Sequence, residues 1–320
     1  MSYNKLMDFT TFAEFVKENI CDYLDGDEQL TITLGNVVKN NGVNKTSLHI
    51  MRIDMVQSPM IYLEEFYDKY TNYEPLDDIM VHIADLYKSH RYHPYYDFTE
   101  QVLSDYDHFK DKIICRLINY KKNEEILREV PYIQILDMAL TYRILFNQTE
   151  IGIATTLITH SMLESWEIEK EELFQVAAKN SERLFPPTIE RMVDVMRGLM
   201  EDSISNPLEL NLIIDRMKNE EDSDEMTMFV LSNTPKLNGA AVLFCSHALK
   251  EFANSLKKDI YILPSSIHEV ILIPHFTGVD VNKLKGIVVE ANSKVVLEDE
   301  ILSDHIYVYS HSKDEISISA

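Results

Sequence analysis

The sequence predicts an α+β protein of two lobes, each a largely antiparallel sheet covered by helices. Three observations predict it. Alternating apolar stretches recur in pairs around turn residues, strands and helices follow one another without regular βαβ alternation, and the texture of the chain changes near residue 130. With 320 residues, 45% of them hydrophobic, the chain is long enough for two cores. The expected division is an N-terminal α/β lobe over 1–128, a C-terminal α+β lobe over 129–310 and a flexible tail over 311–320.

Residues 9–24 place Phe9, Phe12, Phe15, Val16, Ile20 and Tyr23 near one face at helical spacing, with Thr10 or Thr11 as the cap. "QLTITLGNVVKNNGVNKTSLHIMRI" then alternates as two strands, and Asn40-Asn41-Gly42 supplies residues that tolerate positive φ in a hairpin turn. Tyr62, Leu63, Phe66 and Tyr70 predict a helix, and Pro75 starts another running to about Lys88. The stretch from His90 to Val130 carries helical periodicity broken near Tyr95.

From Pro131, "PYIQILDMALTYRILF" and "IGIATTLITHSML" read as β-rich runs of a second hairpin. Leu173, Val176, Ala177, Asn180 and Leu184 share a helix face that stops at Pro186-Pro187, and "TIERMVDVMRGLMEDS" reads as a further helix. "KNEEDSDEM", residues 218–226, is so acidic and so poor in apolar residues that it reads as a solvent loop. A strand at "MTMFVLSN", a mostly helical "GAAVLFCSHALKEFANSL", a strand pair at "YILPSSIHEVILIP", a helix at "DVNKLKGIVVEAN" and a strand at "HIYVYS" complete the chain, and its last residues are expected to fray.

The formal net charge is −23, from 53 acidic against 30 basic side chains. Such a surface repels phosphate backbones, so direct nucleic-acid binding is not expected. Acidic and basic residues mix along most helices, which reads as solubility charge in preference to a DNA-mimicking array. Three cysteines with no CxxC pair, no basic-then-apolar leader and no uncharged 18-residue stretch together predict a cytoplasmic protein that does not enter the membrane.

The chemistry-bearing stretch is Pro264-Ser265-Ser266-Ile267-His268-Glu269. An ordinary hairpin connection accounts for it, since Ser suits turn hydrogen bonding. A hydrolytic site would need Ser265 or Ser266 as nucleophile, His268 as base and an orienting acid beside Glu269, for which Asp304 of "LSDHIYVY" is the candidate because it too precedes a strand. No GxSxG elbow supports that alternative. His90 and His93 lack an HExxH or Cys/His framework, so no metal is expected, and with no GxGxxG or GxxxxGK[ST] no nucleotide or other cofactor is expected either. Arg91, Tyr92, Tyr95 and Tyr96 of "RYHPYY" form a candidate partner surface, because Arg and Tyr are enriched at interface hot spots.

Four blocks, "VVKNNGVNKTSLHI" to "PMIYLEEFY", "LDMALTYRIL" to "KNSERLFP", "YILPSSIHEVILIP" and "EDEILSDHIYVY", occur in an order and spacing that resembles an uncharacterised bacterial family, catalogued as a domain of unknown function. That family is common in gut clostridia and often lies near mobile-element genes. The resemblance implies a bacterial cytosolic setting and a shared "LPSSIHE" and "LSDH" pattern, matched here by Leu263–Glu269 and Leu302–His305. It implies no activity, cofactor or catalytic residue. The expectation is a non-enzymatic binding or accessory protein with a protein partner, the alternatives being a hydrolase with a Ser/His/acid site in the C-terminal lobe and an acidic DNA mimic.

Overall fold

In a computed structural model of the chain, α1 forms over Phe9–Asn19 because Phe12, Ala13 and Val16 recur on one face and are buried. Its cap is Asp8, whose carboxylate accepts the Thr11 N–H at 2.8 Å, in place of the expected threonine. The structure describes residues 6–24, 26, 29–52, 60–90, 103, 105–149, 152–201, 204, 207–223 and 227–320. Within them the chain divides into two compact units, residues 1–102 and 103–320.

In the first unit β1 (Leu30–Val38) pairs antiparallel with β2 (Asn44–Arg52), from Leu30 opposite Arg52 to Val38 opposite Asn44. The connection needs left-handed backbone, which Asn41 (φ 60°) and Gly42 (φ 71°) supply as expected. A short β3 (Met60–Tyr62) adds to β2, and α2 (Glu64–Thr71) and α3 (Leu76–His90) follow. Phe12, Val16, Leu48, Ile61, Phe66 and Ile83 meet in the core of this unit.

The second unit contains two sheets. After α4 (Tyr106–Phe109), the strands β4 (Ile113–Asn119), β5 (Tyr132–Ile135), β6 (Met138–Thr149) and β7 (Gly152–Leu157) build the first, in which β6 pairs with all three others. Next come α5 (His160–Trp166) and α6 (Lys170–Leu184). The buried face of α6 carries Leu173, Ala177 and Asn180, and Asn180 Nδ2 donates to the carbonyls of Lys110 and Ile113 beside β4. The sixfold sheet is built from β8 (Pro187–Arg191), β9 (Phe229–Asn233), β10 (Ile260–Pro264), β11 (Val270–Pro274), β12 (Tyr307–Ser310) and β13 (Glu315–Ile318). Its order is β13-β12-β10-β11-β9-β8, and every neighbouring pair is antiparallel. Helices α7 (Met192–Glu201), α8 (Pro207–Ser223), α9 (Val242–Cys245), α10 (Ala248–Leu256) and α11 (Val281–Lys294) fill the connections. The architecture is α+β with several antiparallel sheets.

Several local expectations change. A division at 128/129 would separate β4 from β6, which pair along seven residues from Ile113 opposite Ile144 to Asn119 opposite Met138; the break between compact units falls instead at 102/103. "IICRLIN" is β4 and not part of a helix, since it is buried along both faces. "TIER" belongs to β8 because β9 pairs with it, and residues 218–223 continue α8 beyond the expected loop start. The tail is ordered: β13 pairs with β12, and the Ser319 N–H donates to the Ile306 carbonyl at 2.7 Å.

Paired backbone amides exchange slowly. Hydrogen exchange followed by mass spectrometry is therefore expected to show protection over 315–319 comparable to that of β12. Free exchange there would return those residues to a frayed tail.

Candidate functional site

The β10–β11 hairpin closes at Pro264 opposite Val270, which leaves Ser265–Glu269 as the connection. The Ser266 N–H donates to the Glu269 carbonyl at 3.2 Å, and Ser266 Oγ accepts the His268 N–H at 3.0 Å. Ser265 Oγ donates to Glu269 Oε1 at 3.4 Å. Both hydroxyls and Glu269 thus serve the turn itself, the use that short polar side chains most readily find.

Neighbouring segments hold the loop from outside. The Ile267 N–H donates to the Glu300 carbonyl at 2.9 Å, its own carbonyl accepts from the Ala240 N–H at 3.2 Å, and Ser232 Oγ donates to the His268 carbonyl at 2.8 Å. His268 Nδ1 accepts the Asn238 N–H at 3.1 Å, so the ring proton sits on Nε2, which faces Glu300 Oε1 at 3.2 Å. Both ring nitrogens are engaged. The acid beside His268 is Glu300, not the expected Asp304, whose Oδ1 accepts from Asn292 Nδ2 at 2.7 Å. Gly239 makes this close approach possible, because a Cβ there would lie 2.2 Å from Ser232 Oγ and 2.4 Å from the His268 carbonyl oxygen.

The "LSDH" segment has its own anchor. Asp137 occupies the two-residue turn between β5 and β6, beside Leu136 at φ 56°. Its Oδ1 accepts from Tyr307 Oη at 2.5 Å, and its Oδ2 accepts from Ser303 Oγ at 2.7 Å and faces His305 Nδ1 at 2.9 Å. Ser303 is buried and also accepts the His305 N–H at 3.0 Å, while Asn292 Nδ2 and Asn119 Nδ2 donate to the Ser303 and Leu302 carbonyls. This is not a nucleophile triad, because the hydroxyl gives its proton to the carboxylate rather than to the imidazole.

Burial raises the pKa of Asp137, but the hydrogen bonds from Tyr307, Ser303 and His305 outweigh it and hold the carboxyl below its ordinary value. Burial first, and then the bond to Asp137, push the Tyr307 phenol far up. Arg116 on β4 has a buried Nε with no hydrogen-bond partner among the described residues; burial lowers its pKa, and the charges of Asp299 and Glu300 oppose that shift. Nearby, a small crevice is lined by Cys115, Ser181, Phe185, Asn233, Asn238 and Cys245, among others. The Cys115 thiol beside it, and then burial, push Cys245 up, so it is held as a thiol and not as a reactive thiolate. Among the described residues no group of three or more His, Cys, Asp or Glu could hold a metal ion.

The structure therefore brings Ser265, Ser266, His268 and Glu269 together in one connection and sets Asp304 against α11. Arg91, Tyr92, Tyr95 and Tyr96 lie outside the described residues. Sequence reasoning missed Asp137, Asn238, Glu300 and the roles of Ser303, His305 and Tyr307. An acid stranded between the apolar runs of "YIQILDMAL" was the available signal for the tight turn.

The profile of a family of unknown function, DUF5688, matches residues 9–311. The chain belongs to that family. The match runs through both units and both motif loops and stops short of β13. No curated protein and no solved structure matches the chain in the same comparisons.

Two outcomes are expected. Asp137→Ala strands three donors and should lower unfolding free energy by about 3 kcal/mol, read in urea titrations. Because the folded pKa of Asp137 is depressed, its contribution is present above the unfolded carboxyl pKa and is lost as pH falls through the lower folded value; the acid limb of the stability curve should flatten in the variant. Gly239→Ala should cost roughly 1–3 kcal/mol through overpacking, and a melting temperature equal to that of the parent chain would contradict the close approach.

Proposed function

We propose that the chain is a non-enzymatic binding or accessory protein of the bacterial cytosol that acts through a protein partner. The observation that carries this reading is the full engagement of His268, whose two ring nitrogens are taken by Asn238 and Glu300 while the adjacent serine hydroxyls serve the turn. A base needs a free lone pair facing its nucleophile, and this imidazole offers none. The loop acts as a rigid fastening. Rigid fastening suits a surface that must hold its shape for recognition.

The cytosolic part of the reading draws support from the cysteine usage and from the absence, among the described residues, of any helix long and apolar enough to cross a membrane. Close ion pairs such as Lys17–Glu14, Lys110–Asp107 and Lys294–Glu290 break up the acidic surface, which weighs against a phosphate-like array.

One observation favours a second, enzymatic reading. Asp137 fixes His305 through Nδ1, and Nε2 of that imidazole, on a side chain 40% exposed, makes no hydrogen bond among the described residues. An oriented, accessible imidazole is the arrangement of a general base.

Affinity purification of the full chain from its native host separates the two. A reproducible, stoichiometric protein partner is the expected result, with metabolite screens showing no turnover. Turnover abolished by His305→Ala would replace the binding reading with the second one, and turnover abolished by His268→Ala would overturn the claim that His268 is fully engaged.

A further inference from the structure

Cys115 and Cys245, far apart in the sequence, come together inside the second unit. Cys115 stands on β4, at the edge of its sheet, where Ser181 Oγ accepts its N–H at 2.8 Å, and Cys245 ends α9. A hydrogen bond to the Cys115 sulfur holds the proton on Cys245. Both thiols are free and both line the same small crevice, Cys115 at 4% exposure and Cys245 at 7%. Their polar neighbours in that crevice have structural tasks. Ser181 Oγ also donates to the Ala177 carbonyl, Asn233 binds the amide and the carbonyl of Leu237, and Ser246 Oγ donates to the Val242 carbonyl while accepting the Ala248 N–H. The two side-chain sulfurs bond only to each other.

A third group supplies the second observation. Tyr142 lies directly opposite Cys115 in the β4–β6 ladder, so the two side chains share a face of the sheet. The tyrosine is 1% exposed, yet its Oη has no hydrogen-bond partner among the described residues. Burial first, and then the nearness of Cys115 and Cys245, push the phenol up, so it keeps its proton. A buried hydroxyl without an acceptor costs free energy that a phenylalanine would avoid. An unused proton donor beside two sulfurs favours a thiolate on one of them. A metal fits the pair less well, because among the described residues no third His, Cys, Asp or Glu joins it to complete a ligand set.

We infer that Cys115 and Cys245 are a redox pair that closes to a reversible disulfide when a small hydroperoxide enters the crevice. The Cys115 sulfur attacks the terminal peroxide oxygen, the O–O bond breaks, and the departing oxygen leaves with the Cys115 proton as an alcohol, or as water from hydrogen peroxide. Cys115 is then a sulfenic acid. The Cys245 sulfur attacks it, the S–O bond breaks, and hydroxide departs with the Cys245 proton as water. Two electrons pass from the sulfurs to the peroxide. The crevice has room for little more than a molecule the size of water, which selects the smallest oxidants over a bulky disulfide. Closure ties α9, and with it the Asn238-Gly239 turn that holds His268, to β4. Transient pairs of this kind are the disulfides found in reducing compartments. The inference stands apart from the protein-binding reading.

The test exposes the reduced, folded full chain to hydrogen peroxide, then denatures it in N-ethylmaleimide and maps the cysteines by mass spectrometry. The expected product carries a Cys115–Cys245 cross-linked peptide and one alkylated thiol, Cys21, where the untreated chain has three. Dithiothreitol should restore all three. Glutathione disulfide at the same concentration should close the pair roughly tenfold more slowly or worse, because it cannot enter the crevice. In Cys245→Ser the sulfenic acid should persist on Cys115 and be trapped by dimedone, and in Cys115→Ser no dimedone adduct should form on Cys245. The mapping of the parent chain decides the matter even if a serine variant fails to fold. An unchanged thiol count, closure only in urea, a disulfide through Cys21 or oxidation of Cys115 straight to the sulfinic acid overturns the inference. So does closure by glutathione disulfide as fast as by peroxide, or a dimedone adduct on Cys245.

Discussion

The second unit depends on how one carboxylate is satisfied. Asp137 sits in a two-residue turn of the four-stranded sheet and accepts from Tyr307, Ser303 and His305, all of which belong to the segment leading into the six-stranded sheet. A partly buried anion is tolerated only where donors replace water, and here one donor, Tyr307, stands at the start of β12 and the other two, Ser303 and His305, in the connection just before it. The bonds that lower the free energy of the charge are therefore the same bonds that join the sheets. The strain of a leucine at φ 56° beside it is consistent with a turn whose geometry is dictated from outside.

The same segment continues the fastening in both directions. Upstream, Glu300 receives the Ile267 amide on its carbonyl and faces His268 with its side chain; downstream, Asn292 of α11 and Asn119 at the end of β4 donate to the Ser303 and Leu302 carbonyls. Residues 300–307 thus serve as a polar spine among β4, the β5–β6 turn, the β10–β11 connection and α11. Most of its bonds run between side chains, with Asp137 and Glu300 as the acceptors on which they converge.

What was legible in the sequence had short range. The β1–β2 and β10–β11 hairpins announce themselves because strand, turn and strand lie within about 25 residues and Asn41-Gly42 or Pro264-Ser265 mark the reversal. The strand nature of β8 and β13 was hidden because each is short and is fixed by its partner strand more than by its own pattern. The same limit governs the site. Ser265 and Ser266 were readable as turn residues, yet the acid at His268 lies 32 positions away and Asp137 lies 166 positions from Ser303, distances over which composition and spacing carry no information. Asp304 was a natural choice from its place before a strand, and Asn292 on α11 took it instead.

The sequence separation at Asp137 also bears on kinetics. The β5–β6 hairpin is a local contact able to form early, whereas the bonds from Ser303, His305 and Tyr307 close a loop of more than 160 residues and must await both sheets. Interactions made after the transition state govern the rate of unfolding and leave the rate of folding nearly untouched. Bonds of that range are expected to form late, so that weakening them should speed unfolding of the second unit more than it slows assembly.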